Sequence, residues 1–186
     1  MSLRNILAAA FVLISLSACI VRPYVPVPDP DYTSEDRWAV VLSDSLIIAL
    51  RPQAYPGNAS NVNNNFFTVL LRVKNISGKT VNLSKGSFSI IADDRQHDFI
   101  PLELVLGSMQ SSFVFENYED PFAINPPATN YDKAREQYFE VLNSYFSFGD
   151  ILPGGMKEGY LFYNRNIRGS KSFSVDVLSA PVRFSK

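Results

Sequence analysis

The chain has 186 residues with a single cysteine and a single histidine, and 17 Lys and Arg stand against 18 Asp and Glu for a formal net charge of −1. That balance, with no run of basic residues, argues against nucleic acid as a partner. A lone cysteine excludes an internal disulfide, and one histidine with no spare cysteine excludes the usual zinc ligand sets.

Residues 1–18 have the three parts of a secretory leader. Arg4 and the amino terminus give positive charge, residues 6–14 an uncharged apolar core, and Ser15, Ser17 and Ala18 a small-residue approach to a cut. A retained membrane helix would need about 20 apolar residues, a length this run reaches only by counting serines. The stretch Leu16-Ser17-Ala18-Cys19 resembles the lipobox of bacterial lipoproteins. The resemblance implies cleavage before Cys19 and lipid on its sulfur, so that the partner of this end of the chain is a membrane. It also implies the cell envelope, and Ile20 after the cysteine, where an aspartate would retain the protein in the inner membrane, points to the outer membrane. Stable anchoring takes at least two acyl chains, which such a lipid supplies. Residues 19–36 follow as an expected tether, with Pro23, Pro26, Pro28 and Pro30 favouring an extended polyproline path of about 3.1 Å per residue.

Residues 37–186 read as one domain, mainly β. Residues 38–42 and 46–50 are apolar and β-branched around a Ser43-Asp44-Ser45 turn, and an Asn-rich loop spans 53–65. Residues 66–75 form the clearest strand: Phe67, Val69, Leu71 and Val73 share one face, Thr68, Arg72 and Lys74 the other. Leu70 breaks the polar face, which suggests partial cover there. Val81 and Leu83, then Phe88 and Ile90, alternate in short strands, and 93–96 is a polar hairpin tip. Residues 99–106 read as a strand interrupted by Pro101. After the Pro153-Gly154-Gly155 turn come strands at 160–163 and 172–177, and Val182 and Phe184 close the set. Many short alternating strands with turns between them predict an antiparallel β-sandwich.

The succession Val73-Lys74-Asn75, Phe88-Ser89-Ile90, Leu152-Pro153-Gly154 and Gly159-Tyr160-Leu161-Phe162 looks like the immunoglobulin-like domains of bacterial surface lipoproteins, over residues 37–104 and 150–186. The resemblance implies a binding or structural module and no enzyme activity, and fold alone gives no function.

Residues 105–148 stand outside that pattern as an insertion dense in aromatics. A helix is expected at about 131–146, capped by Thr129 or Asn130 after Pro126-Pro127. At 100° per residue Ala134, Tyr138, Val141, Leu142 and Tyr145 fall together, with Tyr131, Phe139 and Phe146 beside them. Lys133, Glu136, Glu140 and Asn143 take the opposite side, and Arg135 intrudes on the apolar arc. Two readings stay open. Either the helix caps a face of its own sandwich, or Tyr118, Phe122, Tyr131, Phe139 and Tyr145 form a docking surface for another envelope protein.

Reactive constellations are lacking in the sequence. His97 has no Gly-x-Ser-x-Gly nucleophile to serve. Asp93, Asp94 and Asp98 lack the offsets and glycine of a calcium loop and read as a solvated tip. Glu116, Glu119 and Asp120 lie near aromatics, as sugar-cleaving carboxylates do, but charged loop residues are ordinarily just solvated. Gly154-Gly155 sits in a Pro-led turn, not between strand and helix as a phosphate loop would. No catalytic residue, cofactor or metal is implied. The expectation is a lipid-anchored, non-catalytic interaction or structural module, with a small-ligand or glycan binder using an aromatic cleft beside the insertion as the alternative.

Overall fold

The computed structural model describes residues 22–59, 61–116 and 128–186. The leader, Cys19, Tyr118 and Phe122 lie outside the described residues, as do the side chains of Glu116 and Tyr131. Twelve strands pair antiparallel: β1 Val25–Pro26, β2 Thr33–Glu35, β3 Trp38–Leu42, β4 Leu46–Pro52, β5 Phe66–Asn75, β6 Val81–Leu83, β7 Ile90–Ala92, β8 Arg95–His97, β9 Gly149–Ile151, β10 Met156–Asn164, β11 Ser172–Val177 and β12 Ala180–Ser185. One five-stranded sheet has the order β1-β12-β11-β7-β8, and the other β10-β5-β4-β3-β2, while β6 and β9 form a separate pair. Strands β2 to β5 follow one another within one sheet. Three helices complete the described chain: the short α1 Val62–Asn65, α2 Leu102–Glu116 and α3 Ala128–Ser144.

Alternation builds the core between the sheets. Ile48 and Leu50 of β4, with Val69, Leu71 and Val73 of β5, face Val175, Val182 and Phe184 of the opposite sheet, all buried. Fully buried Tyr163 donates its hydroxyl to the Phe88 carbonyl at 2.6 Å, so its polar end is satisfied inside this core. Burying Asn75 completes one end. Its amide nitrogen donates to the carbonyls of Lys79 (2.7 Å) and Ile151 (2.9 Å), and its side-chain oxygen accepts from the amide (2.9 Å) and hydroxyl (2.8 Å) of Ser77. A residue that reads from sequence as an ordinary turn asparagine is thus the polar pin between β5 and the β9 end.

A second core lies on the outer face of the β10-β5 sheet, where the helices sit. Phe66, Leu70, Tyr160 and Phe162 project from it to meet Val105, Leu106 and Met109 of α2 and Val141 of α3. This cover explains Leu70, and it explains why six successive residues of β5, from Phe66 to Leu71, are buried before alternation with solvent resumes at Arg72. Gly159 lies under the crossing from α3 into the next strand. A Cβ there would stand 2.7 Å from the Phe146 Cα, a backbone contact no side chain tolerates.

Three expectations are corrected. The tether expected over 19–36 is packed onto the body from Tyr24 onward: β1 pairs with β12 (Val25 with Ser185, Pro26 with Phe184), and β2 pairs with β3. Two aromatics decide this, since Tyr24 and Tyr32 are both buried, and Pro26 is tolerated because β1 is an edge strand. Residues 99–106 do not form a strand. After one sheet-like bond from the Ile100 amide to the Phe162 carbonyl (2.7 Å), Pro101 opens α2, its carbonyl accepting from Leu104 and Val105. Leu102, Val105, Leu106 and Met109 have the i, i+3, i+4, i+7 spacing of a helix, so the insertion holds a second helix and starts earlier than expected. Finally α3 runs Ala128–Ser144. Thr129 and Asn130 lie in its first turn, and Tyr145 and Phe146 have already left it, the Phe146 amide bonding the Tyr160 carbonyl at 3.0 Å.

Candidate functional site: a basic cleft beside the first folded residues

The β2–β3 hairpin turns through Asp36 and Arg37, both at positive φ (44° and 65°), the geometry of a two-residue type I′ turn. Two further hairpins, at Asp93-Asp94 and Leu178-Ser179, turn in the same way without glycine. The turn brings Arg37 to one end of the sandwich, where the chain enters at Arg22 and Tyr24. Arg168, from a 3₁₀ turn at Arg165–Gly169, and Lys186, just beyond β12, reach the same place. These four cations rim a cleft of about 320 Å³. Its floor is Tyr24, Pro52, Phe67 and Thr68, all buried.

Each part of the floor is fixed. The Tyr24 hydroxyl lies 2.8 Å from the Ile167 carbonyl and 2.7 Å from that of Ser170, and its ring packs edge-on against Phe173 and Phe67 (centroids 4.8 and 5.7 Å). Burial, with the Asp93 charge adding to it, pushes the Tyr24 phenol up to about 12. The Thr68 hydroxyl donates to the Gln53 carbonyl at 2.6 Å. On the rim, Lys186 holds its ammonium 4.6 Å from the centre of the Tyr24 ring and donates to the Arg168 carbonyl at 2.5 Å. Arg168 donates to the Phe66 carbonyl at 2.5 Å, and desolvation, then the neighbouring Arg165, hold its guanidinium below the usual arginine range. Among the described residues no Asp or Glu side chain lines the cleft, and none of the four cations makes an ion pair. Asp93 is turned to Ser170, whose hydroxyl donates to its carboxylate at 2.6 Å.

The aromatic residues expected on the insertion divide between two roles. Tyr145 belongs to the cap: its ring stacks on Phe162 (5.8 Å, 8°), its hydroxyl donates to the Ile100 carbonyl at 3.0 Å, and burial pushes its phenol up to about 12. Val141 is fully buried and Tyr138 packs partly against the same core. Phe139 points outward, 47% exposed, next to exposed Leu142. The polar side of α3 is not simply solvated. Gln137 is buried and donates to the Asn58 carbonyl at 2.9 Å, while the Glu140 carboxylate accepts from the Asn58 amide at 3.1 Å. Gly57 makes room for that carboxylate, since a Cβ there would stand 2.0 Å from Glu140 Oε1.

A shallower hollow of about 440 Å³ lies beside the insertion, walled by Leu102, Leu142, Tyr145, Phe146 and Phe148 with Lys85 and Glu103 at its edge. His97 is in β8 opposite Ile90, and Asp98 accepts from Gln96 and Ser89, bonds that hold its carboxyl below the usual range. Among the described residues no group of three His, Cys, Asp or Glu gathers to hold a metal ion, and no helix is long and apolar enough to cross a membrane. The cleft escaped sequence reasoning because its cations stand at 22, 37, 168 and 186, and only the fold collects them.

No protein family, curated protein or solved structure matches this chain.

Proposed function

We propose that the chain is a lipid-anchored envelope protein whose β-sandwich, of immunoglobulin-like kind, acts as a non-catalytic interaction or structural module held close against the membrane. The observation that carries this reading is the docking of the first described residues. Tyr24 is buried in the sandwich, Val25 pairs with Ser185, and the Val27 amide donates to the Arg183 carbonyl at 2.8 Å, so folded structure begins within a few residues of Cys19. The five residues from Cys19 to Tyr24 span about 18 Å at most. Lipid on Cys19 would therefore hold one chosen end of the body at the bilayer surface, where a long tether would let it swing. The exposed pair Phe139 and Leu142, on the outer side of the helical layer, is the surface offered to another envelope protein. Fractionating cells that express Cys19→Ser tests the anchor: the wild-type chain stays with membranes and the variant is released, whereas a variant that stays membrane-bound contradicts the reading.

The hollow lined by Leu102, Leu142, Tyr145 and Phe148 with Lys85, Glu103 and Ser147 supports a second reading, a small-ligand or glycan binder, because rings beside polar groups suit such a ligand. A rise in melting temperature of the purified protein with an envelope sugar would support it.

A further inference from the structure

The anchor leaves a feature of the body unused: four cations gathered over an apolar floor, at the end where the chain would leave the membrane. Arg22, Arg37, Arg168 and Lys186 share one cleft, and among the described residues no Asp or Glu side chain lines it and none of the four makes an ion pair. Guanidinium groups match phosphate oxygens in a two-pronged geometry, and Arg supplies three of the four cations here. The floor beneath is buried aromatic and aliphatic surface from Tyr24, Phe67 and Pro52, which suits the uncharged part of an amphiphile better than a bare inorganic ion. The adjoining hollow along Arg165 and Asn64 extends the positive surface past Arg168. Arg22 is three residues after Cys19, so the cleft stands about 10 Å of chain from the proposed lipid.

We propose that this cleft binds the phosphate headgroup of an anionic membrane lipid, so that the protein grips the bilayer at a second point and is fixed in orientation. The assignment of a lipid source rests on the anchored reading above, whereas the phosphate chemistry rests on the cleft alone.

The test uses the full chain purified in a non-ionic detergent, with its melting followed by tryptophan fluorescence in three additions. These are phosphatidylglycerol in mixed micelles, phosphatidylcholine at the same mole fraction, and inorganic phosphate without lipid. Phosphatidylglycerol is expected to raise the melting temperature by several degrees and phosphatidylcholine to leave it unchanged, with the shift shrinking as salt rises. Arg37→Gly is the informative variant. Arg37 sits at φ 65°, a conformation glycine adopts without strain, so the variant removes a cation while keeping the hairpin. Loss of most of the phosphatidylglycerol shift in Arg37→Gly, and again in Lys186→Gln, supports the proposal. An equal shift with inorganic phosphate alone assigns the cleft to a free phosphate and overturns the lipid assignment. No shift with any addition, or a shift that both variants retain, overturns the proposal entirely. The mass of residue 19 is read on the same sample, so a bare thiol sinks the anchor whatever the cleft does, and an unresponsive cleft leaves a lipidated Cys19 standing.

Discussion

Removing the Tyr24 side chain separates a folded entry segment from a loose tether. In the structure its ring is 6% exposed, packed edge-on against Phe67 and Phe173, and its hydroxyl serves the carbonyls of Ile167 and Ser170. Tyr24→Ala opens a cavity the size of an aromatic ring in the core, at about 3–5 kcal/mol. Tyr24→Phe keeps the ring and takes the hydroxyl from the Ser170 carbonyl, while the Ile167 carbonyl keeps the Ser170 amide at 3.1 Å, at about 1 kcal/mol. For a chain of this length each kcal/mol moves the melting temperature by about 2–4 °C, so the alanine variant falls on the order of 10 °C and the phenylalanine variant by a few degrees. Urea unfolding followed by circular dichroism measures both, and hydrogen exchange at the Val27 amide, bonded to Arg183 in the native sheet, reports whether β1 has lifted. A residue in an unstructured linker would change stability by no more than about 0.5 kcal/mol. If Tyr24→Ala is that silent and Val27 exchanges freely in the wild type, the docked entry segment, and the short anchor reasoned from it, are wrong.

Asn75→Ala removes four hydrogen bonds from a fully buried site and is expected to cost about 3 kcal/mol in chemical denaturation; a loss under 1 kcal/mol would mean water replaces the amide. Tyr145→Ala is expected to lose about 3 kcal/mol because its ring and hydroxyl hold α3 to the sheet, while exposed Phe139→Ala changes stability by no more than about 0.5 kcal/mol. Crosslinking in intact cells with Phe139→Ala then reads that surface by itself: an unchanged set of crosslinks would rule out the Phe139 surface as a contact. Tyr24 and Tyr145 both titrate near 12 in the folded chain against 10.0 unfolded. Because the folded state holds those protons longer, their contribution is full below pH 10 and disappears as pH rises through 12, which a pH series of melting curves checks against the Tyr24→Phe and Tyr145→Phe variants. Asp29, bonded by Arg183, shifts the other way, and its contribution is lost as pH falls below about 4.

What could be read from the sequence was local periodicity. The alternation in β5 and β11 is strict enough to set which side chains face the core, and the odd Leu70 already signals cover on the outer face. The apolar arc of α3 is packed in part: Val141 and Tyr138 turn inward as its spacing requires, whereas Leu142 and Phe139 of the same arc are exposed and Tyr145 lies just past the helix end. The errors arose where composition outvoted pattern. Prolines at 23, 26, 28 and 30 suggest a linker, yet an edge strand accepts proline and two tyrosines supply the burial that orders it. Pro101 looks like an interrupted strand when it is the first turn of a helix. Of three hairpins without glycine, the acidic Asp93-Asp94 tip is legible in the sequence, while Asp36-Arg37 and Leu178-Ser179 give no turn signal because their tight turns are imposed by the strands on either side. Glu140 sits on the polar side of α3 by periodicity, and only the fold brings the Gly57-Asn58 loop under it and its neighbour Gln137. Long-range juxtaposition of this kind leaves no mark along the chain, and the basic cleft is the clearest instance.

Mass spectrometry of the protein isolated from its native membranes, read at residue 19, bears on the anchored reading before anything else. The reading requires a chain without residues 1–18 that begins at Cys19 carrying a diacylglyceryl adduct. A free thiol at Cys19, or a peptide still joined to the leader, would contradict it.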